Sequence, residues 1–370
     1  MRWICLFLLL TTWPVLGCSA PSPRPTPAAP AVATPDLGTH LLVRVVGSLS
    51  YKHPGWKEYL PLSFGVALRR GDLLRVAADS EGLVVCADLN LAPLPAGYQG
   101  GLPCAQTAPV LTRGESLVVA PQRDMTATAP VPYILSPRHT FIRDGTPLLR
   151  WAPSGDETMS YTVRVWGGQV DWTTQTMTTA LRYGADAPPL QPGVTYHLSV
   201  TDAEGHSSAQ EGTALDLGFA LLPAEQVAAV EALLAQAQGL NLDGQATRLL
   251  EAEIEAAYGL RAEAIALLEG LVADEKAPDI SRRLGELYLA VGLYTEAQAA
   301  FEQAQAGFQA VGDRAGQAAA LVGLGLAQRG DRAEAAAQES LSQAHNLYQA
   351  LGDTEDIDRV QRLLAGSGSN

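Results

Sequence analysis

Leu284-Gly285-Glu286-Leu287-Tyr288-Leu289-Ala290-Val291-Gly292-Leu293-Tyr294-Thr295-Glu296-Ala297-Gln298-Ala299-Ala300-Phe301 is the stretch on which the fold turns. Apolar residues recur three and four apart on both sides of Gly292, the spacing of one helix face. The glycine interrupts the pattern, so the stretch reads as two helices joined by a tight turn. From Pro223 onward alanine is abundant and β-branched residues thin out. Gly259, Gly292 and Gly330 are each followed, four and five residues later, by Glu-Ala: Glu263-Ala264, Glu296-Ala297 and Glu334-Ala335. The spacings are 33 and 38 residues. A unit that recurs at such a period cannot bury its apolar face alone and has to stack on its neighbours.

Leu284-Gly285, Tyr288, Gly292, Tyr294, Ala297, Phe301 and Ala304 together resemble the tetratricopeptide repeat. The resemblance implies a helical solenoid over 223–366, with repeats near 246–274, 281–311 and 317–350 and a capping helix at 354–364. Gly285 and Ala297 would be small where the helices of one hairpin cross. Leu284, Tyr288 and Phe301 would be large where hairpins stack. Val322-Gly323, Leu326, Gly330 and Ala335 carry the third unit, whose Leu341 and Ala344 fall two positions late, as a small insertion would place them. Gly312-Asp313 and Gly352-Asp353 recur forty apart. In this family the first helix of each hairpin lines a concave face that receives peptides or partner helices. By that resemblance Glu253, Asp279, Arg282, Glu286, Gln317 and Gln328 would point into the groove.

Residues 39–135 read as short strands separated by Gly and Pro. Leu41, Val43 and Val45 alternate, Leu73, Leu74 and Val76 follow the Gly71-Asp72 turn, and Leu83–Cys86 and Leu117–Ala120 are further apolar runs. Gly47-Ser48-Leu49, then Leu68 to Val76, then Gly82 to Ala87 resemble the FecR-like β domain, although Ala77-Ala78 and Asp88-Leu89 stand where that family has other residues. Arg70-Gly71-Asp72 also spells an adhesion tripeptide, but the turn accounts for it. Residues 136–222 form a second all-β segment. Tyr161, Val163 and Val165 alternate with Thr162, Arg164 and Trp166, a strand with one buried face. Leu190 to Val200 resembles the corner of a fibronectin type III or Ig-like sandwich. That resemblance makes Tyr196 a corner tyrosine bonded to upstream backbone and Trp151 a core tryptophan. The expected fold class is therefore an all-β N-terminal half followed by an all-α solenoid.

Ahead of these lies an address. Arg2, the apolar run from Trp3 to Leu10 and the ending Val15-Leu16-Gly17-Cys18 resemble a lipoprotein signal over 1–17, which implies a lipid on Cys18. The run is too short to cross ~30 Å of hydrocarbon as a helix. Residues 18–38 are dense in proline and alanine and read as an extended tether. Cys5 would leave with the signal. Cys86 and Cys104 remain, an even pair that in an exported chain reads as a disulfide.

The formal charge is −14, of which residues 223–370 contribute 22 acidic against 10 basic side chains. That balance excludes clustered phosphate contacts, so nucleic acid is not expected as a partner. No phosphate loop, helical zinc motif or nucleophile elbow occurs. His40, His53, His139, His197, His206 and His345 are scattered, and none lies near either cysteine in sequence. Neither a metal nor a cofactor is expected, and no enzymatic activity. Glu251, Glu253 and Glu255 read as a solvated helix face. Tyr51-Lys52-His53-Pro54-Gly55-Trp56-Lys57-Glu58-Tyr59 mixes aromatic and basic groups, as a sugar-binding loop would, or folds back onto its sheet.

These features converge on an extracytoplasmic lipoprotein, held to a membrane through Cys18, that acts as a scaffold for a protein or peptide in its helical groove. Two other readings stay open: a FecR-like envelope sensor, and a cell-wall glycan binder working through Trp56.

Overall fold

The computed structural model describes residues 39–105, 131–155, 160–184, 186–211, 218–274 and 277–366. The expected signal, the tether, Cys18 and the run Leu117–Ala120 lie outside these residues. Strands come first and helices after. The first β unit holds β1 (His40–Val46), β2 (Leu49–Lys52), β3 (Leu60–Pro61), β4 (Ala67–Leu68), β5 (Leu73–Val76), β6 (Glu81–Val85), β7 (Leu91–Leu94) and β8 (Gln99–Gly101). They form two four-stranded antiparallel sheets, ordered β4-β1-β6-β7 and β3-β2-β5-β8. Leu42, Leu68, Val84 and Leu94 of one sheet share a core with Leu49, Leu74 and Val76 of the other.

β1 does not have the one buried face its alternation suggested. Leu42 enters the core between the sheets, whereas Leu41 and Val43 join Val85, Leu249, Leu250, Ile254 and Ile280 in a core shared with the helices. The sheet carrying β1 is thus a middle layer, buried on both sides, which is why Leu41–Val43 is a continuous apolar run rather than an alternating one.

The second β unit comprises β9 (Tyr133–Ser136), β10 (Thr140–Ile142), β11 (Leu148–Ala152), β12 (Tyr161–Gly167), β13 (Val170–Thr176), β14 (Ala180–Arg182), β15 (Thr195–Asp202) and β16 (Phe219–Leu221). A three-stranded sheet, β14-β11-β9, accompanies a five-stranded one, β10-β16-β15-β12-β13, in which β10 and β16 run parallel. Trp151, Leu149 and Ile134 from the first meet Tyr161, Val163, Val165, Tyr196 and Val200 from the second. The Tyr196 hydroxyl accepts the backbone N–H of Gln191 at 2.7 Å.

Eight helices follow among the described residues: α1 (Ala224–Gly239), α2 (Gly244–Ala257), α3 (Arg261–Asp274), α4 (Pro278–Ala290), α5 (Tyr294–Val311), α6 (Arg314–Gly330), α7 (Glu334–Leu351) and α8 (Thr354–Gly366). The pairs α2/α3, α4/α5 and α6/α7 are the hairpins, and α8, at the place expected for a capping helix, packs against α7. Gly259 and Gly292 take left-handed φ of 75° at the first two hairpin turns. At the third, the left-handed residue is Arg332 (φ 62°), not Gly330, which lies inside α6. The third unit is therefore offset by forty residues from the second, in step with Gly312 and Gly352. With that offset Ala264, Ala297 and Ala337 coincide, all fully buried, and so do Leu268, Phe301 and Leu341.

The same correction changes which glycine matches Gly285. A Cβ there would lie 3.0 Å from Phe301, and its counterpart is Gly325, where a Cβ would lie 2.8 Å from Leu341. Gly323 instead packs on Phe301 of the preceding hairpin, where a Cβ would come within 2.3 Å. Gly330 makes room for Tyr294, 2.2 Å from where its Cβ would be. Among the described residues no helix is long and apolar enough to cross a membrane.

Candidate functional site

The first helices α2, α4 and α6 present the residues expected to line a groove. Four of the six are tied into one buried ion-pair network. Arg282 bonds Glu286 and reaches Asp279 at 3.3 Å, while Arg283 bonds Glu253 at 2.9 Å and Glu286 at 3.1 Å. Burial disfavours charge on Arg282, but Glu286 and Asp279 overcome that and hold its guanidinium more firmly protonated than usual. Gln317 is half-buried on α6. Gln328 does not face the groove, because its side-chain oxygen accepts the hydroxyl of Ser340 on α7.

The groove is not an open surface. The segment Tyr51–Gly65 of the first β unit lies across it. Ser63 donates to Asp279 at 3.0 Å, and Gly65 sits against Ile280 so closely that a Cβ would lie 2.8 Å from its Cδ1. Glu58 pairs with Arg314 at the start of α6. At the far end the Trp56 ring N–H donates to Asp353 at 2.7 Å, the Lys57 amide donates to the carbonyl of Leu351 at 2.9 Å, and Lys57 Nζ reaches the carbonyl of Ala350 at 3.3 Å. Trp56 is 7% exposed and shares a core with Leu60, Tyr294, Phe301, Leu351 and Val360. Its indole meets Tyr51 edge-on, centroids 5.1 Å apart. The aromatic expected either to stack on sugars or to fold onto its own sheet packs on Tyr51 and Leu60 of that sheet and at the same time anchors the β unit to the last repeat.

Three carboxylates mark the track of this segment: Asp279 in the first turn of α4, Asp313 at the N-cap of α6 and Asp353 before α8, all buried. Burial, with Asp279 adding repulsion, pushes the Asp313 carboxyl up to about 7. Asp313 accepts the backbone N–H groups of Ala315 and Gly316.

The second β unit grips the hairpin turns. Arg138, 3% exposed, donates through Nε to the carbonyl of Val291 at 2.8 Å and through Nη2 to that of Gly292 at 3.4 Å. Tyr133 donates to the Gly292 carbonyl at 3.1 Å. The Phe141 amide and the Thr140 hydroxyl donate to the carbonyl of Gly259. Arg143 approaches Glu255 at 3.3 Å. Glu255 and Glu253 are therefore not a solvated face: they are 4% and 8% exposed, Glu255 beneath Arg143 of the second β unit and Glu253 against Arg283 of the neighbouring helix α4. Burial, with repulsion from Glu263, raises the Glu255 carboxyl to about 7.

Cys86 and Cys104 are joined as a disulfide, their Cα atoms 5.6 Å apart. The fold brings His40 beside them, a neighbour the linear spacing had hidden, with a ring nitrogen within 4.8 Å of both sulfurs. His40 Nδ1 accepts the amide of Ala87 at 3.2 Å, and burial lowers the ring's affinity for a proton. The sulfurs are committed to each other, so the trio offers no ligand set in this state. The Asp72 carboxylate is buried and accepts from His53 and the Arg69 amide, which withdraws Arg70-Gly71-Asp72 from any receptor.

Residues 277–356 match the tetratricopeptide repeat family. The matched segment takes in the tetratricopeptide hairpins α4/α5 and α6/α7, whose first helices carry Asp279, Arg282, Glu286 and Gln317. No curated protein matches the chain. Among solved structures, the crystal structure of BtubC (BKLC) from P. vanneervenii is similar at 17% identity over 40% of this chain and 74% of its own, with a TM-score of 0.25. Tetratricopeptide repeats suggest a protein-interaction scaffold, and on this face Asp279, Arg314 and Asp353 are already engaged by the chain's own β unit.

Proposed function

We propose that the protein is a lipid-anchored, extracytoplasmic scaffold without catalytic activity, which holds a protein partner through its tetratricopeptide face. The observation that carries this reading is the repeat match at 277–356. The rest of the proposal rests on sequence: the signal-like start, Cys18 and the tether would present the folded part at a membrane surface. The bonded Cys86–Cys104 pair is consistent with an oxidising compartment. The first β unit is read as FecR-like on its Leu68–Val76 turn and strand. The second is read as fibronectin-like on the buried Trp151, the Tyr196–Gln191 hydrogen bond and the β16-β15-β12-β13 order facing β14-β11-β9. A glycan role for Trp56 is set aside, because its ring is buried against the last repeat.

Membrane fractionation of the full chain and of Cys18→Ser tests the anchor: the variant is expected in the soluble fraction, and full retention in the membrane contradicts it. Affinity capture of the exported chain from envelope extract, beside sedimentation with peptidoglycan, tests the scaffold. A defined protein partner without sedimentation is expected. Sedimentation without a partner contradicts the reading.

A further inference from the structure

The concave face already holds a ligand, and it belongs to the same chain. The contact has two halves of different character. Toward α2 and α4 it is apolar: Leu41, Val43 and Val85 from the strands, with Phe64 against the same cluster, meet Leu249, Ile254 and Ile280. Toward α8 it narrows to Trp56-Lys57-Glu58. There Trp56 supplies one ring donor to Asp353, the Lys57 backbone and ammonium satisfy the carbonyls of Leu351 and Ala350, and Glu58 neutralises Arg314. Lys57 is exposed, and Glu58 and Arg314 keep 43% of their side-chain surface in water. Exposed ion pairs contribute little, so the indole and its carboxylate hold this tip. The apolar half can keep the β unit in place while the tip moves.

We infer that Trp56–Glu58 is a displaceable self-ligand, and that the partner of this face is a polypeptide carrying an aromatic or other ring N–H donor followed two residues later by a carboxylate, which takes Asp353 and Arg314 over from the tip. This rests on the scaffold reading. The chemistry of the site selects the competitor. A buried Asp353 left without its donor is costly, so the incoming side chain has to bring an N–H and enough apolar surface to refill the space of the indole. The two carbonyls at the end of α7 ask for N–H groups, as an extended backbone and a lysine provide. Arg314 asks for an anion. The buried acids Asp279, Asp313 and Asp353 exclude a phosphate-rich ligand.

The test uses a fluorescent synthetic peptide of Tyr51–Tyr59 and the full chain, read by anisotropy. Trp56→Ala vacates the pocket, and Glu58→Arg repels Arg314 without touching any core residue. Trp56→Ala is expected to bind the peptide at least tenfold more tightly than the unmodified chain and Glu58→Arg more tightly by a smaller factor, and a peptide bearing Trp56→Ala is expected to lose that gain. Equal binding by all three chains, or no binding by Glu58→Arg when its circular dichroism is native, overturns the inference. The scaffold reading fails separately. If the variants bind the peptide but no envelope protein is captured by any chain, the displaceable tip stands and the partner does not. If one protein is captured equally by all chains and the peptide binds none, the partner stands and the tip does not.

Discussion

The indole Nε1 of Trp56 and the carboxylate of Asp353 meet at 2.7 Å across 297 positions of sequence. The bond is buried, and it joins the β2–β3 connection to the cap of the last helix, where Asp353 also accepts the amide of Asp356. Trp56→Phe keeps most of the apolar contact and removes the donor, so it is expected to cost about 1–3 kcal/mol. Asp353→Asn in the same background should cost less than it does alone. A double-mutant cycle in urea checks this, and a coupling near zero would show that the pair is not formed in solution.

Helix approach supplies an independent expectation. Gly323→Ala would place a methyl 2.3 Å from the Phe301 ring and is expected to destabilise the chain by about 1–3 kcal/mol. Gly239→Ala at the end of α1 meets nothing within 4 Å and is expected to be neutral or mildly stabilising. Thermal melting of both variants measures the contrast.

Arg138 ties the second β unit to the turn at Val291-Gly292. Arg138→Ala removes charge-assisted hydrogen bonds from buried carbonyls, each worth about 1.5–3 kcal/mol. The expected result is a lower melting temperature and faster proteolysis at the hairpin turns, with the disulfide intact. An unchanged melting curve would mean that the β unit and the repeat are energetically separate.

The raised carboxyl of Glu255 has a defined pH consequence. Its folded value of about 7 lies above its ordinary 4.5, so the folded chain holds the proton more tightly than the unfolded chain does. The sign follows from linkage: this group favours the folded state at low pH, and its contribution falls as pH rises from about 4.5 to about 7. Glu255→Gln should flatten that part of the stability profile and raise stability at pH 8. Denaturation at several pH values reads the slope, and an unchanged slope in the variant contradicts the assignment.

The helical half was legible because its constraints are local: Gly285, Ala297 and Phe301 lie within one hairpin, and a fixed period repeats them. The register at Gly330 is not legible, because sequence shows that a glycine is present but not why. Gly330 makes room for Tyr294, whereas Arg332 accepts the left-handed turn. The closed groove is not legible in the sequence for a different reason. Charged residues on a first helix look solvated until another unit covers them, and Glu253 and Glu255 give no local sign that Arg283 and Arg143 wait opposite. A sequence signal for that cover is the unbroken apolar run Leu41–Val43, which alternation alone does not explain. His40 was hidden in the same way, since forty-six residues separate it from Cys86 and only sheet pairing brings them together.

The central claim is that the chain's own β unit closes the tetratricopeptide face, and amide hydrogen exchange at Lys57 tests it most directly. Lys57 is exposed and lies in a loop, and its amide donates across the contact to the carbonyl of Leu351. Protection well above the rate of an unstructured peptide, lost in Trp56→Ala, is the expected result. Exchange at the unstructured rate in the unmodified chain would contradict the account.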